Sequence, residues 1–106
     1  MAFRGGMSEL MRQASRLQRK VERRREELKD ETFEASAGDE RVKVTVNGAN
    51  ELVSVHVEPA VLEEEGLEMV QDLVVAAANA ALQKAREHVE AELEKVTGGM
   101  RIPGLF

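Results

Sequence analysis

The chain has no cysteine, no tryptophan and no tyrosine, and only two prolines and three phenylalanines among its 106 residues. The missing thiols remove disulfides, thiolate nucleophiles and cysteine-based metal sites together. With only Phe3, Phe33 and Phe106 as aromatic faces, single-strand binding by base stacking on an OB-fold or RRM surface is disfavoured. Long apolar runs are missing too. The longest, Leu73 to Leu82, is broken by Asn79 and falls far short of the ~20 residues that cross a bilayer. Met1–Gly6 lacks the apolar centre of a signal peptide. The expected setting is the cytoplasm, with no membrane partner. A chain this short is expected to form one domain over 1–106, small enough for self-association to help cover its core.

Catalytic groups are equally scarce. His56 and His88 are the only histidines, and neither stands in an H-x-x-x-H or H-E-x-x-H spacing, so no metal site is expected. Ser8, Ser15, Ser36 and Ser54 have no histidine partner by pattern, and no glycine-rich phosphate loop follows a strand. The chain is therefore read as non-enzymatic, without catalytic residues, cofactor or small-molecule substrate.

What the sequence does have is segregated charge. Its net charge is −5, yet residues 1–30 hold 9 Lys and Arg against 5 acids, and residues 31–106 hold 6 against 15. Between Leu10 and Val21 lie Arg12, Arg16, Arg19 and Lys20 with no acid among them. An acidic total argues against a polyanion partner; this distribution argues for one.

Residues 8–30 read as a helix capped by Ser8. Leu10, Ala14, Leu17, Val21 and Leu28 fall within roughly 60° of its circumference, a narrow seam like that of a coiled coil. Three strands follow. In Thr32–Ala37 the residues Phe33, Ala35 and Ala37 share a side. In Arg41–Val46 the inward set is Val42, Val44 and Val46, and in Leu52–Glu58 it is Val53, Val55 and Val57. Gly38-Asp39 and Asn47-Gly48 supply the turns, where positive φ is cheap, so the strands form an antiparallel meander. After Pro59, Ala60–Glu65 reads as a helical turn. A long helix then spans about 66–96, stopped by Gly98-Gly99, and 97–106 is a Gly- and Pro-containing tail expected to be flexible. The fold class is α+β, with an α-β-β-β-α order.

Two surfaces stand out. On the first helix, Arg12, Arg16, Arg19, Lys20 and Arg23 occupy a sector of about 100° opposite the apolar seam. Ion pairs with i,i+4 spacing would explain the later part, where Arg23 faces Glu26 and Glu27, and Glu22 faces Arg25. They do not explain Arg12–Arg16, Arg16–Lys20, Arg19–Arg23 or Lys20–Arg24, like-charged neighbours that each cost the helix roughly 0.2–0.5 kcal/mol. Such a face points to a polyanion outside the helix, with Arg4 and Arg24 assisting. On the long helix, Leu73–Leu82 is apolar nearly all round. The small residues Ala77, Ala78, Ala81 and Ala85, with Val74, would let a second helix approach closely, and a homodimer interface is expected there. The Glu63–Glu65 run is explained by the helix start that follows it.

The residues also resemble a known family. Phe3-Arg4-Gly5-Gly6-Met7 with Leu10-Met11-Arg12-Gln13-Ala14 is similar to the opening of the YbaB/EbfC family of bacterial nucleoid-associated proteins. So are Val42-Lys43-Val44-Thr45-Val46-Asn47-Gly48-Ala49, Val57-Glu58-Pro59 with Leu62, Asp72-Leu73-Val74 with Ala76, Ala77, Asn79 and Ala81, and Gly98-Gly99-Met100-Arg101-Ile102-Pro103-Gly104. The resemblance runs in order over nearly the whole chain. It implies an intimate homodimer of α-β-β-β-α protomers whose terminal helices project like tweezer arms. It also implies binding of double-stranded DNA with little sequence preference, and a place on the nucleoid. It brings no catalytic residues and no sharp DNA-contact motif, so the nominated contacts rest on the charge pattern. Beside this stands a second reading, a protein-interaction or holdase-like module that uses the apolar seam of the first helix and is insensitive to salt.

Overall fold

The structure, a computed structural model, describes residues 2–99, with side chains from residue 6 onward. The order is α1 (Ala2–Leu28), β1 (Thr32–Ala37), β2 (Val42–Asn47), β3 (Leu52–Val57), α2 (Pro59–Glu65) and α3 (Leu67–Thr97). The strands form one antiparallel sheet in the order β1-β2-β3. The fold class is α+β as expected, with the short α2 added between the sheet and the long helix.

The alternation of β2 places the core. Val42, Val44 and Val46 are fully buried, and Ala77, Ala81 and Ala85 of α3 lie over them, also fully buried, with Val61 of α2 and Val70. Phe33, Ala35 and Ala37 of β1 pack against the same cluster. Spacings of four residues keep the three alanines on one face of α3. Having no side chain beyond Cβ, they let the helix lie close to the valine face of the sheet. A second cluster joins the helices away from the sheet, where Val21 and Leu28 of α1 meet Leu93 of α3, with Val89 and Val96 at its edge.

Several expectations are corrected. Helix α1 starts at Ala2, so Ser8 lies inside it and caps nothing. Strand β3 does not repeat the β2 pattern. Val44 pairs with Val55 and Val42 with Val57, but a register shift makes Leu52 the partner of Val46 and leaves Val53 in a bulge. Leu52, Val53 and Val55 remain about half exposed, at 52%, 55% and 46%; α3 covers β1 and β2 and leaves β3 at the open edge. In the first turn Gly38, Asp39 and Glu40 all have positive φ. In the second the left-handed residue is Asn50, not Asn47 or Gly48, and the Asn47 side-chain oxygen accepts from the amides of Ala49 (3.0 Å) and Glu51 (3.1 Å). Gly48 instead answers a close approach, since a Cβ there would overlap the Leu28 carbonyl. The run Glu63–Glu65 forms the last turn of α2, where the helix dipole disfavours acids; Arg41 holds Glu64 through Nη1 at 2.7 Å.

Helix α3 ends on Gly98 in the left-handed conformation, and the Gly99 amide donates to the Glu94 carbonyl at 3.0 Å, as a Schellman cap requires. The rest of the expected flexible tail, from Met100, lies outside the described residues.

Candidate nucleic-acid interface

The molecule is a rod of 76 × 19 × 16 Å, and α1 accounts for much of its length. Its seam divides into two parts. Val21 and Leu28 are buried on α3, whereas Leu17 is half-buried and Leu10, at 63% exposure, is open to solvent. The helix before Val21 therefore projects as an arm of about 28 Å, at 1.5 Å per residue. Every described residue from Gly6 to Lys20 except Leu17 is exposed.

The nominated cations lie on this arm and at its base. Arg12, Arg16, Arg19, Lys20 and Arg23 are all exposed. Arg12 has one distant partner, Glu9 at 4.0 Å, with both side chains at least half exposed, a contact of little energetic weight. The Nε of Arg19 donates to the Ser15 carbonyl at 3.3 Å, which leaves its charge unneutralised. Among the described residues, Arg16, Lys20 and Arg23 have no acidic partner. The pairs expected for Arg23 with Glu26 or Glu27, and for Glu22 with Arg25, do not form.

Arg24 behaves differently from its neighbours. Its guanidinium bonds Glu27 at 3.2 Å and, across to α3, Glu92 at 2.6 Å. The hydrogen bond to Glu92 holds the Arg24 pKa above its ordinary value. Lys95 at 2.6 Å and Arg24 together hold the Glu92 carboxyl down, from the ordinary 4.5 to about 2. Arg24 is thus the strut that braces the arm against α3, a role that sequence spacing could not reveal because its partner is 68 residues away. The side chain of Arg4 lies outside the described part of the structure.

The residues expected at a dimer interface are largely covered within the protomer. Ala77, Ala81 and Ala85 are fully buried against the protomer's own sheet, and Val74 and Ala78 are half-buried on the same cluster. The first three have no surface left to offer a second chain. Exposed apolar side chains gather instead on β3, α2 and the start of α3, at Leu52, Val53, Val55, Leu62 (47%), Leu67 (62%) and Val75 (59%). Alternation and periodicity mark these residues as apolar but do not say which strand its helix leaves uncovered.

The histidines take structural places. His56 is exposed on β3 opposite Lys43. The Nε2 of His88 lies 3.5 Å from Glu31, and its ring is 5.2 Å from that of Phe33.

Fold and surface together define a small α+β protein with one projecting helix whose cationic face its own acids leave largely unopposed. The model of the YbaB/EbfC DNA-binding family matches residues 3–100, and the chain belongs to that family. A nucleoid-associated protein of Pelotomaculum thermopropionicum is 44% identical over 102 residues, 96% of this chain and 97% of the relative. One of Acetivibrio thermocellus is 47% identical over 105 residues, 98% of this chain and 93% of the relative. The crystal structure of an uncharacterized protein from Helicobacter pylori shares the fold, with a TM-score of 0.73 at 22% identity, over 85% of this chain and 95% of that one. No helix among the described residues is long and apolar enough to cross a membrane.

Proposed function

We propose that the protein binds double-stranded DNA on the nucleoid as a non-enzymatic homodimer, with little sequence preference, and that the contacts are made by the α1 arms. The observation that carries this reading is the projecting arm, with Arg12, Arg16, Arg19, Lys20 and Arg23 exposed and four of the five without an acidic partner among the described residues. Phosphates are the groups such a face neutralises, and phosphate contacts carry no base information, so weak sequence preference follows from the mechanism. Membership of a DNA-binding family whose relatives are named nucleoid-associated proteins supports the same partner and location. Arg24 contributes by bracing the arm.

Dimerisation places two arms on one duplex and doubles the contacts available to a chain whose body is acidic. The apolar edge at Leu52, Val53, Val55 and Leu62 supports a two-fold contact there, with Val74 and Ala78 beside it and Ala77, Ala81 and Ala85 beneath as core. The test is fluorescence anisotropy on a labelled duplex with the double variant Arg16→Glu, Arg19→Glu. Affinity falls by about tenfold or more, while helicity and assembly mass stay as in the parent. Parental affinity in that variant overturns the assignment of the arm.

A further inference from the structure

The seam that joins α1 to α3 does not stop where α3 stops. On α3, Val89, Leu93 and Val96 follow the three-and-four spacing of a two-helix coil. On α1 the same spacing runs from Val21 back through Leu17, Ala14 and Leu10 to Met7. Helix α3 ends at Thr97, and the seam lies open from half-buried Leu17 to Met7, which is 61% exposed. The flanks of this open stretch carry no charge, with Gly6 and Gln13 on one side and Met11 and Gln18 on the other. Glu9, Arg12, Arg16 and Arg19 all lie about 120° or more from its centre on the helical wheel.

We propose that the open seam pairs, antiparallel, with the same seam on the arm of a second copy from another dimer, and that the pair joins two duplexes. The joining of duplexes rests on the DNA-binding reading above; the pairing does not. The open stretch continues an interface that already packs helix on helix, so the occupant it fits is another helix with a narrow seam. The arm is such a helix, and its uncharged flanks let it meet its own image without like charges beside the core. The cations project from the far side, so a pair keeps both cationic faces open, pointing apart across two helix diameters, about 20 Å. The antiparallel sense follows from α3, which buries Val21. A parallel partner would bring a second α3 end to the same level, whereas an antiparallel one leaves the two bodies at opposite ends. Met7 to Leu17 rises about 15 Å, too few turns to hold a pair alone. Pairing therefore builds up where dimers crowd along DNA and raise the local concentration of arms.

The chain has no cysteine, so single introduced thiols report the pairing without DNA. With a short bifunctional maleimide, Leu10→Cys joins chains to a yield that rises with protein concentration, and Ser15→Cys, away from the seam, does not. The second measurement is capture of a labelled duplex by a bead-bound duplex, with the parent and with the double variant Met7→Gln, Leu10→Gln, which keeps charge and helix preference. Capture falls about tenfold or more in the variant as paired arms are lost, while its affinity for one duplex by anisotropy stays parental. No joining at Leu10→Cys overturns the proposal; suppression of the aggregation of reduced insulin by the same protein would then give the seam to non-native chains. Joining independent of concentration, or capture undiminished in the Gln variant, also overturns it. A parent that binds no single duplex defeats the DNA-binding reading instead, and leaves the thiol result to decide the pairing.

Discussion

At Gly48 the backbone passes so close to the end of α1 that a Cβ would overlap the Leu28 carbonyl and sit 3.2 Å from the Lys29 Cα. The Gly48 amide also donates to the Glu31 carbonyl at 3.0 Å, so the β2–β3 turn is pinned to the α1–β1 junction. Gly48→Ala therefore costs about 1–3 kcal/mol, the range of overpacking in a fitted site. It is read as a lower urea midpoint at unchanged slope; Gly6→Ala, whose Cβ meets nothing, shows no such loss. Glu92 is the second residue with a measurable signature. Its pKa is depressed from 4.5 to about 2 by Lys95 and Arg24, so the carboxylate stabilises the fold above about pH 4.5, and that contribution drains as pH falls toward 2. Denaturation midpoints followed from pH 5 to pH 2 fall more shallowly for Glu92→Gln than for the parent.

Among the elements, those whose pattern is local were legible in the sequence. The valine alternation of β2 fixes its inward face, and Gly98-Gly99 marks the end of α3. The cationic sector of α1 follows from helical periodicity alone. What was not legible depends on which element covers which. The alanines of α3 look like a surface for another helix, but they are small because that helix sits directly on Val42, Val44 and Val46. Strand β3 carries the same apolar residue types as β2, yet its bulge at Val53 and its place at the sheet edge leave it open. The Arg24–Glu92 brace joins residues that no local spacing relates. The uncovered edge carries its own test. Val55→Asp puts a charge on an exposed strand without entering the protomer core, so the protomer folds while the proposed dimer dissociates. Light scattering then reports the mass of one chain, about half the parental mass; a retained parental mass moves the interface elsewhere.

For the molecule as a whole, charge decides how DNA is met. The sequence after residue 30 carries an excess of nine acids and repels phosphate, while the first thirty residues carry an excess of four cations. The proposed binding is thereby confined to the arms, with the body held away from the duplex. Each phosphate neutralised contributes a slope of about −0.9 to the dependence of log affinity on log salt. Five cations on one arm give about −4.5 on that basis, and two arms up to about −9. The most direct test is the affinity for a duplex measured across a salt series, for the parent and for Arg16→Ala. The parent shows a steep linear decline, equal for unrelated duplex sequences, and Arg16→Ala lowers the slope by about one for each arm engaged. An affinity indifferent to salt, or a slope that Arg16→Ala leaves unchanged, would contradict the account.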